Sequence, residues 1–162
     1  VTVAVTLETR ETVLWQLLGP GAAEVVLQAS ASPLPDVMGA TLTDRGFVAR
    51  TGQEEFLVTV DRPPASGAAS CWIYPRSDRV VALRGAGWCQ VLARLCPVDF
   101  AGFQVGDWLM VAVAGVNAWC LGLSDGVLVG CDPTFGDGFY RMLAEVVNEV
   151  NAIRVTGEGV KT

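Results

Sequence analysis

The sequence predicts an α+β domain made of two tandem β-α-β-β units, mainly antiparallel sheet with helices on one face. Three observations carry this expectation: a glycine block that occurs twice, a short helical periodicity directly after each block, and apolar strand candidates joined by links too short for a crossover helix. Leu17-x-Gly19-x-Gly21 runs into Val25 and Val26, and Leu83-x-Gly85-x-Gly87 runs into Val91 and Leu92. The offset is 66 residues (85 − 19) at every matched position.

Each block reads as a strand, a glycine turn and a short helix. Ala22, Val25, Val26 and Ala29 recur at helical spacing in the first, and Trp88, Val91, Leu92 and Leu95 in the second. Pro20 sits near the first helical position, where its missing N–H costs nothing. Strand candidates follow at Val37–Thr43, Gly46–Arg50 and Phe56–Val60, and again at Trp108–Val113, Asn117–Leu123 and Val127–Cys131. Arg62–Ser70, rich in Pro, Gly and Ser, reads as a linker between units of about 1–61 and 71–155. An amphipathic helix closes the second unit, with Phe139, Met142, Leu143, Val146, Val147 and Val150 on its buried face and capping oxygens expected from Thr134 and Asp137. Residues 1–155 thus form a single domain and residues 156–162 a polar, frayed tail.

Composition narrows the function. Of 162 residues, 51% are hydrophobic and 17% charged, more apolar surface than a lone domain of this size readily buries, which predicts a large permanent interface with another protein. The net charge of −6 and the scattered placement of 11 basic residues exclude a nucleic-acid stripe. The longest uncharged run, Trp108–Ser124, is too short and too broken by glycine for a bilayer span, and no signal-peptide pattern opens the chain, so a cytoplasmic protein is expected; the start at Val1 leaves a trimmed end open. Five cysteines, none in a CxxC pair, read as reduced, inert thiols.

No histidine is present, which closes Ser/His, Cys/His and His-metal chemistry to the chain acting alone. Asp99, Asp107, Asp132 and Asp137 fall at turns and read as caps before catalysts. Neither glycine block completes a GxGxxG phosphate loop, because Glu24 and Gln90 stand at the sixth position. Asp132–Gly138 fails as a calcium loop, with Asp137 where glycine is needed. No metal is expected. Among the five tryptophans, most belong to the core, while one or two are expected to anchor a partner or wall a flat heterocycle.

The stretch from Ser77 to Cys120, with its small-residue turn at Gly85–Gly87, the run Leu95-Cys96-Pro97-Val98-Asp99-Phe100 and Gly106 before a hairpin, resembles the gamma-subunit family of heterotetrameric sarcosine oxidase. More broadly it is similar to the folate-binding aminomethyltransferase (glycine-cleavage T protein) superfamily. Ala49–Val60 is similar to a further segment of the same family, and the resemblance spans about residues 13–150. It implies a small, non-catalytic subunit of an amine-oxidising, demethylating complex. Larger partners there carry flavin, iron or other redox centres, and a tetrahydrofolate domain captures the one-carbon unit.

The paired-Asp motif of the active transferases is replaced here by Gly115-Val116-Asn117-Ala118-Trp119, and the Lys-Gly-Cys-Tyr-x-Gly-Gln signature is missing. No cofactor is therefore expected on this chain. If folate does touch it, Asn117, Trp119 and Asp99 are the residues implied. The partner interface is expected at Trp119, Trp108 and Trp72. Two alternatives remain: a folate-binding subunit of a dimethylamine monooxygenase-type complex that itself receives formaldehyde, and a free-standing folate-dependent transferase.

Overall fold

Residues 4–67 and 70–158 are described by the computed structural model. They form two compact units. One is built from the segment ending at Arg10, Arg79–Val105 and the chain from Met110 onward; the other from Glu11–Asp78 and Gly106–Leu109. The boundary differs from the break expected at 62–70, because each unit borrows its fifth strand from across the repeat. Ala68, Ala69 and residues 1–3 and 159–162 lie outside the described residues, which takes in part of the linker, the chain start and most of the expected tail.

The elements are β1 (Thr6–Arg10), β2 (Leu14–Leu18), α1 (Ala22–Ser30), β3 (Gly39–Thr43), β4 (Gly46–Gly52), β5 (Glu55–Thr59), β6 (Trp72–Arg76), β7 (Arg79–Arg84), α2 (Trp88–Ala93), β8 (Trp108–Val113), β9 (Val116–Leu123), β10 (Gly126–Cys131) and α3 (Gly136–Glu158). They make two five-stranded sheets, ordered β3-β4-β5-β2-β6 and β8-β9-β10-β7-β1. The two orders are the same once the repeat is allowed for. β1, which precedes β2 in the chain, pairs antiparallel with β7, and β6, which precedes β7, pairs antiparallel with β2. The register obeys the same offset: Thr6 faces Arg84 and Leu18 faces Trp72, with 72 − 6 and 84 − 18 both equal to 66.

The repeated glycines make this exchange possible. Gly19 (φ +120°) and Gly85 (φ +98°) take a backbone conformation that side chains rarely adopt. A Cβ on Gly19 would stand 2.7 Å from the Ser70 carbonyl oxygen, and one on Gly85 would stand 2.5 Å from that of Ala4. Both carbonyls lie just before the exchanged strands. The Gly19 N–H donates to the Glu54 carbonyl (2.9 Å) and the Gly85 N–H to that of Asp125 (3.0 Å). The turns thus close strand junctions and then open a helix, the structural role read for them against a phosphate cradle.

In the unit of Glu11–Asp78, α1 lays Ala22, Val25 and Val26 onto Leu17, Val48, Phe56 and Val58 of the sheet. Toward the β6 edge of this sheet, Arg76 makes a bidentate pair with Asp78 (2.9 and 3.1 Å), donates to Gln16 (3.1 Å), and Gln16 donates to Glu55 (2.7 Å). The Asp78 side chain is 1% exposed and that of Arg76 35%. Arg76→Ala deprives a buried carboxylate of its bidentate partner and is expected to cost about 2–3 kcal/mol, below the usual range for a fully buried pair because Arg76 is partly solvated. A urea midpoint within error of the unaltered chain would show that water replaces the guanidinium.

In the other unit, α3 packs against α2 and β1. Phe139, Leu143, Val147 and Val150 are buried along it, with Met142 and Val146 half-buried, as its periodicity predicts. Asn151 clamps β1 from this helix: its Oδ1 accepts from the Val5 N–H and its Nδ2 donates to the Val5 carbonyl, both at 2.9 Å. Two details differ from expectation. The oxygen ahead of α3 that caps a turn is Asp132 Oδ1, which accepts from the Thr134 N–H at 2.8 Å, while Asp137 pairs with Arg79 at 2.7 Å. The helix also continues through Glu158, past the boundary expected at 155. No helix among the described residues is long and apolar enough to cross a membrane.

Candidate functional site

Beside the Gly85 turn the chain forms an open cleft of about 1000 Å³. Each wall follows from local sequence. β7 ends at Arg84, the turn at Gly85–Ala86 carries the chain over, and α2 begins with Trp88. The loop Phe103–Val105 forms a second side, and the tight β9–β10 hairpin at Ser124-Asp125 a third. Thr6, at the start of β1, completes the lining. The loop and the hairpin come close because Gly122 has no side chain: a Cβ there would lie 1.8 Å from the Gln104 carbonyl oxygen.

The cleft is aromatic on one side and electroneutral on the other. Trp88 meets Phe100 and Phe103 edge-on, at centroid distances of 5.9 and 6.4 Å, and the two phenylalanines meet each other at 5.2 Å. Phe100 is buried and Trp88 half-buried, so the indole is held on its inner side while part of it stays open. Arg84 Nη1 pairs with Asp125 Oδ1; the Arg84 side chain is 30% exposed and that of Asp125 54%. A guanidinium donor and a carboxylate acceptor therefore stand side by side with little net charge.

The residues singled out from sequence lie elsewhere. Trp119 is 4% exposed. Ala118, Cys120 and Leu121 around it are buried as well, so both faces of β9 are covered and Trp119 is core rather than the interface residue expected. The indole lies across Gly130, where a Cβ would be 2.1 Å from its ring atoms. Asn117 is exposed, as is Asp99, whose Oδ1 accepts from the Ala101 N–H (2.9 Å) and closes a turn. With Trp119 facing inward, these three do not present one wall to a ligand. Trp108 is 7% exposed and stacks obliquely on Phe47 (5.7 Å), so it too is core rather than interface. Trp72 alone of the expected interface residues is exposed, at 59%, with Tyr74 (49%) two residues on along the β6 edge. Sequence reasoning missed the cleft because it assigned no strand to Thr6–Arg10; extending the offset of 66 upstream would have aligned Thr6 with Trp72.

The cysteines are free thiols. Burial pushes Cys120 up to about 12, with Cys96 nearby adding to the effect, and burial likewise raises Cys71 and Cys89. A thiol held neutral is a poor nucleophile. The raised value also predicts a stability slope. Below the ordinary thiol value of 9.0 both folded and unfolded Cys120 are protonated; between 9.0 and about 12 only the unfolded chain loses the proton. Stability should therefore fall through this window by about 1.4 kcal/mol per pH unit from this group. Cys120→Ala should flatten the alkaline limb of a pH–stability curve by that amount, and an unchanged limb would contradict the assignment. Among the described residues, no three His, Cys, Asp or Glu side chains are grouped so as to hold a metal ion.

No protein-family model matches the sequence, and no curated protein does. Among solved structures, the fold is similar to that of a chain of heterotetrameric sarcosine oxidase from Corynebacterium sp. U-96, solved in complex with pyrrole 2-carboxylate. The likeness has a TM-score of 0.74 at 20% identity and covers 91% of this chain and 85% of that one. The regulatory subunit of aspartate kinase from Thermus flavus is a weaker likeness, with a TM-score of 0.43 at 14% identity over 90% and 97% of the two chains. The first comparison establishes the architecture: an α+β chain of two antiparallel five-stranded sheets, shared with a sarcosine oxidase subunit.

Proposed function

We propose that the chain is a small, non-catalytic subunit of a multi-subunit amine-oxidising enzyme of the sarcosine oxidase type, in which N-demethylation is coupled to tetrahydrofolate-linked capture of the one-carbon unit. The observation that carries this reading is the fold shared with a sarcosine oxidase chain over 91% of the present one. The chemistry of the residues agrees with it, since the chain has no histidine and burial raises three of its thiols. Flavin, iron and folate then belong to larger partner chains in a cytoplasmic hetero-oligomer. The reading in which this chain itself receives formaldehyde on folate, as in a dimethylamine monooxygenase-type complex, loses the aromatic wall it needs, because Trp119 is buried.

The partner surface follows from exposure. Trp72 and Tyr74 project from β6, an edge strand, and a large amphipathic ring left in water is the usual anchor of a stable interface. Trp72→Ala should weaken assembly by about 2 kcal/mol, roughly thirtyfold, while the melting temperature of the isolated chain changes little. The encompassing test is purification of the tagged chain from its own host. Larger flavin- or metal-bearing chains should copurify, and the complex, not the 17.1 kDa chain alone, should demethylate methylated amines. A chain that purifies alone and turns over the amine by itself would overturn the proposal.

A further inference from the structure

We propose that the cleft beside Gly85 is a binding site for a flat aromatic or heteroaromatic molecule bearing a neutral carboxamide-like edge, its ring over Gly85 against Trp88 and its edge on the Arg84–Asp125 pair. The internal repeat supplies the argument, because the same place occurs twice in the chain and is filled once. In the unit of Glu11–Asp78, the strand exchanged onto β2 begins with Trp72, and its ring lies over the turn glycine: Cε3 and Cζ3 would each be 3.0 Å from a Cβ on Gly19. In the other unit the residue at the same register is Thr6, opposite Arg84 as Trp72 is opposite Leu18. Threonine cannot fill the volume of an indole. The space left over Gly85 is part of the open cleft.

The filled repeat therefore shows what shape the open one accepts: a planar ring resting on a glycine turn with its other side in water, as Trp72 is 59% exposed. Other substitutions between the repeats point the same way. Where the filled repeat has the buried Ala22, the open one has the half-buried Trp88, stabilised edge-on by Phe100 and Phe103 and able to offer an aromatic surface. Leu18 of the filled repeat corresponds to Arg84, which makes the open cleft polar at one end. Asp125 neutralises that arginine, so the end presents a donor and an acceptor together. A carboxylate would gain the guanidinium but meet the Asp125 charge, whereas a carboxamide can accept from Arg84 and donate to Asp125 at once.

The inference is independent of the subunit reading, since it concerns the chain alone and is read by ligand binding rather than by assembly or turnover. The experiment uses the full chain, labelled with ¹⁵N and titrated with indole-3-carboxamide, with indole-3-carboxylate in parallel. Saturable binding is expected, with amide shifts centred on Gly85, Trp88, Asp125 and Gly126 and a preference of about fivefold or more for the carboxamide, as expected where a site hydrogen-bonds both edges of its ligand. Thr6→Trp, which copies the filled repeat, should weaken binding about tenfold or more by occupying the ring's place. Thr6 is exposed on β1, so the melting temperature should hold. Arg84→Leu, which copies the other repeat at the polar end, should erase the preference for the carboxamide and serves if the first variant does not fold. Absence of saturable binding, shifts centred away from the cleft, tighter binding of the carboxylate, or folded variants that bind as the unaltered chain does would each overturn the proposal.

Discussion

Trp119→Ala is expected to lower stability by about 3–5 kcal/mol, the range for losing a large aromatic ring from a closed core. The residue is 4% exposed on β9, which lies inside its sheet between β10 and β8. Its neighbour across the sheet is Gly130, and the indole occupies the space a side chain there would need. The two positions form one packing unit, which makes the prediction sharper than a simple truncation. Gly130→Ala alone should be severely destabilising, because its methyl would fall 2.1 Å from the ring. Combined with Trp119→Ala it should cost far less than the sum, since the small residue now enters the vacated volume. Chemical denaturation of the two single variants and the double variant measures this coupling. A loss below about 1 kcal/mol for Trp119→Ala would remove the ring from the core and reopen it as a contact for a ligand or partner.

Gly85→Ala should cost about 3 kcal/mol or more, and Gly19→Ala a similar amount. Two penalties coincide at each site. The positive φ strains any residue with a Cβ, by about 1–3 kcal/mol, and the new methyl would press on a backbone carbonyl that cannot turn aside. Gly67 and Gly138 are the controls. Gly67 has φ +56° but nothing within 4 Å of a Cβ, so alanine there meets strain without collision. Gly138 is helical and has equally open space, so alanine should be neutral or stabilising by up to about 1 kcal/mol. Melting curves that rank Gly85 and Gly19 with Gly67 would show that the exchanged strands yield, and that these glycines are a matter of turn geometry alone.

Much of the architecture was legible because it depends on local periodicity. The apolar run Trp108–Val113 matches β8 at both ends, and Asn117–Leu123 and Val127–Cys131 each miss only the first residue of their strands. The helical spacing from Phe139 to Val150 marks the inward face of α3. β1 and β6 escaped for a physical reason. Both are edge strands whose side chains are mostly exposed or half-buried, so Thr6–Arg10 and Trp72–Arg76 carry no hydrophobic pattern to read. Their pairing depends on contacts with strands remote in the chain, which no local signal encodes.

The candidate site was less legible, for a related reason. An indole at position 119 can face either way on the evidence of its neighbours, since Ala118 and Cys120 are small and apolar on both sides. Burial on both faces of β9 settles the direction, and with it the separation of Trp119 from the exposed Asn117 and Asp99. Thr6, the stretch from Arg84 to Trp88, and Asp125 come from three segments remote in the chain, and no spacing rule joins them.

The sequence by itself determined the α+β class, the doubled unit with its 66-residue offset, the closing helix and the lack of histidine chemistry, because each is a matter of composition or short-range pattern. Only the tertiary structure decided which strand completes which sheet, which tryptophans are core and which remain in water, and that one repeat leaves open the space its twin fills with Trp72. Those outcomes turn on close contacts between residues far apart in the chain, where a single Cβ or a single ring decides whether volume is occupied.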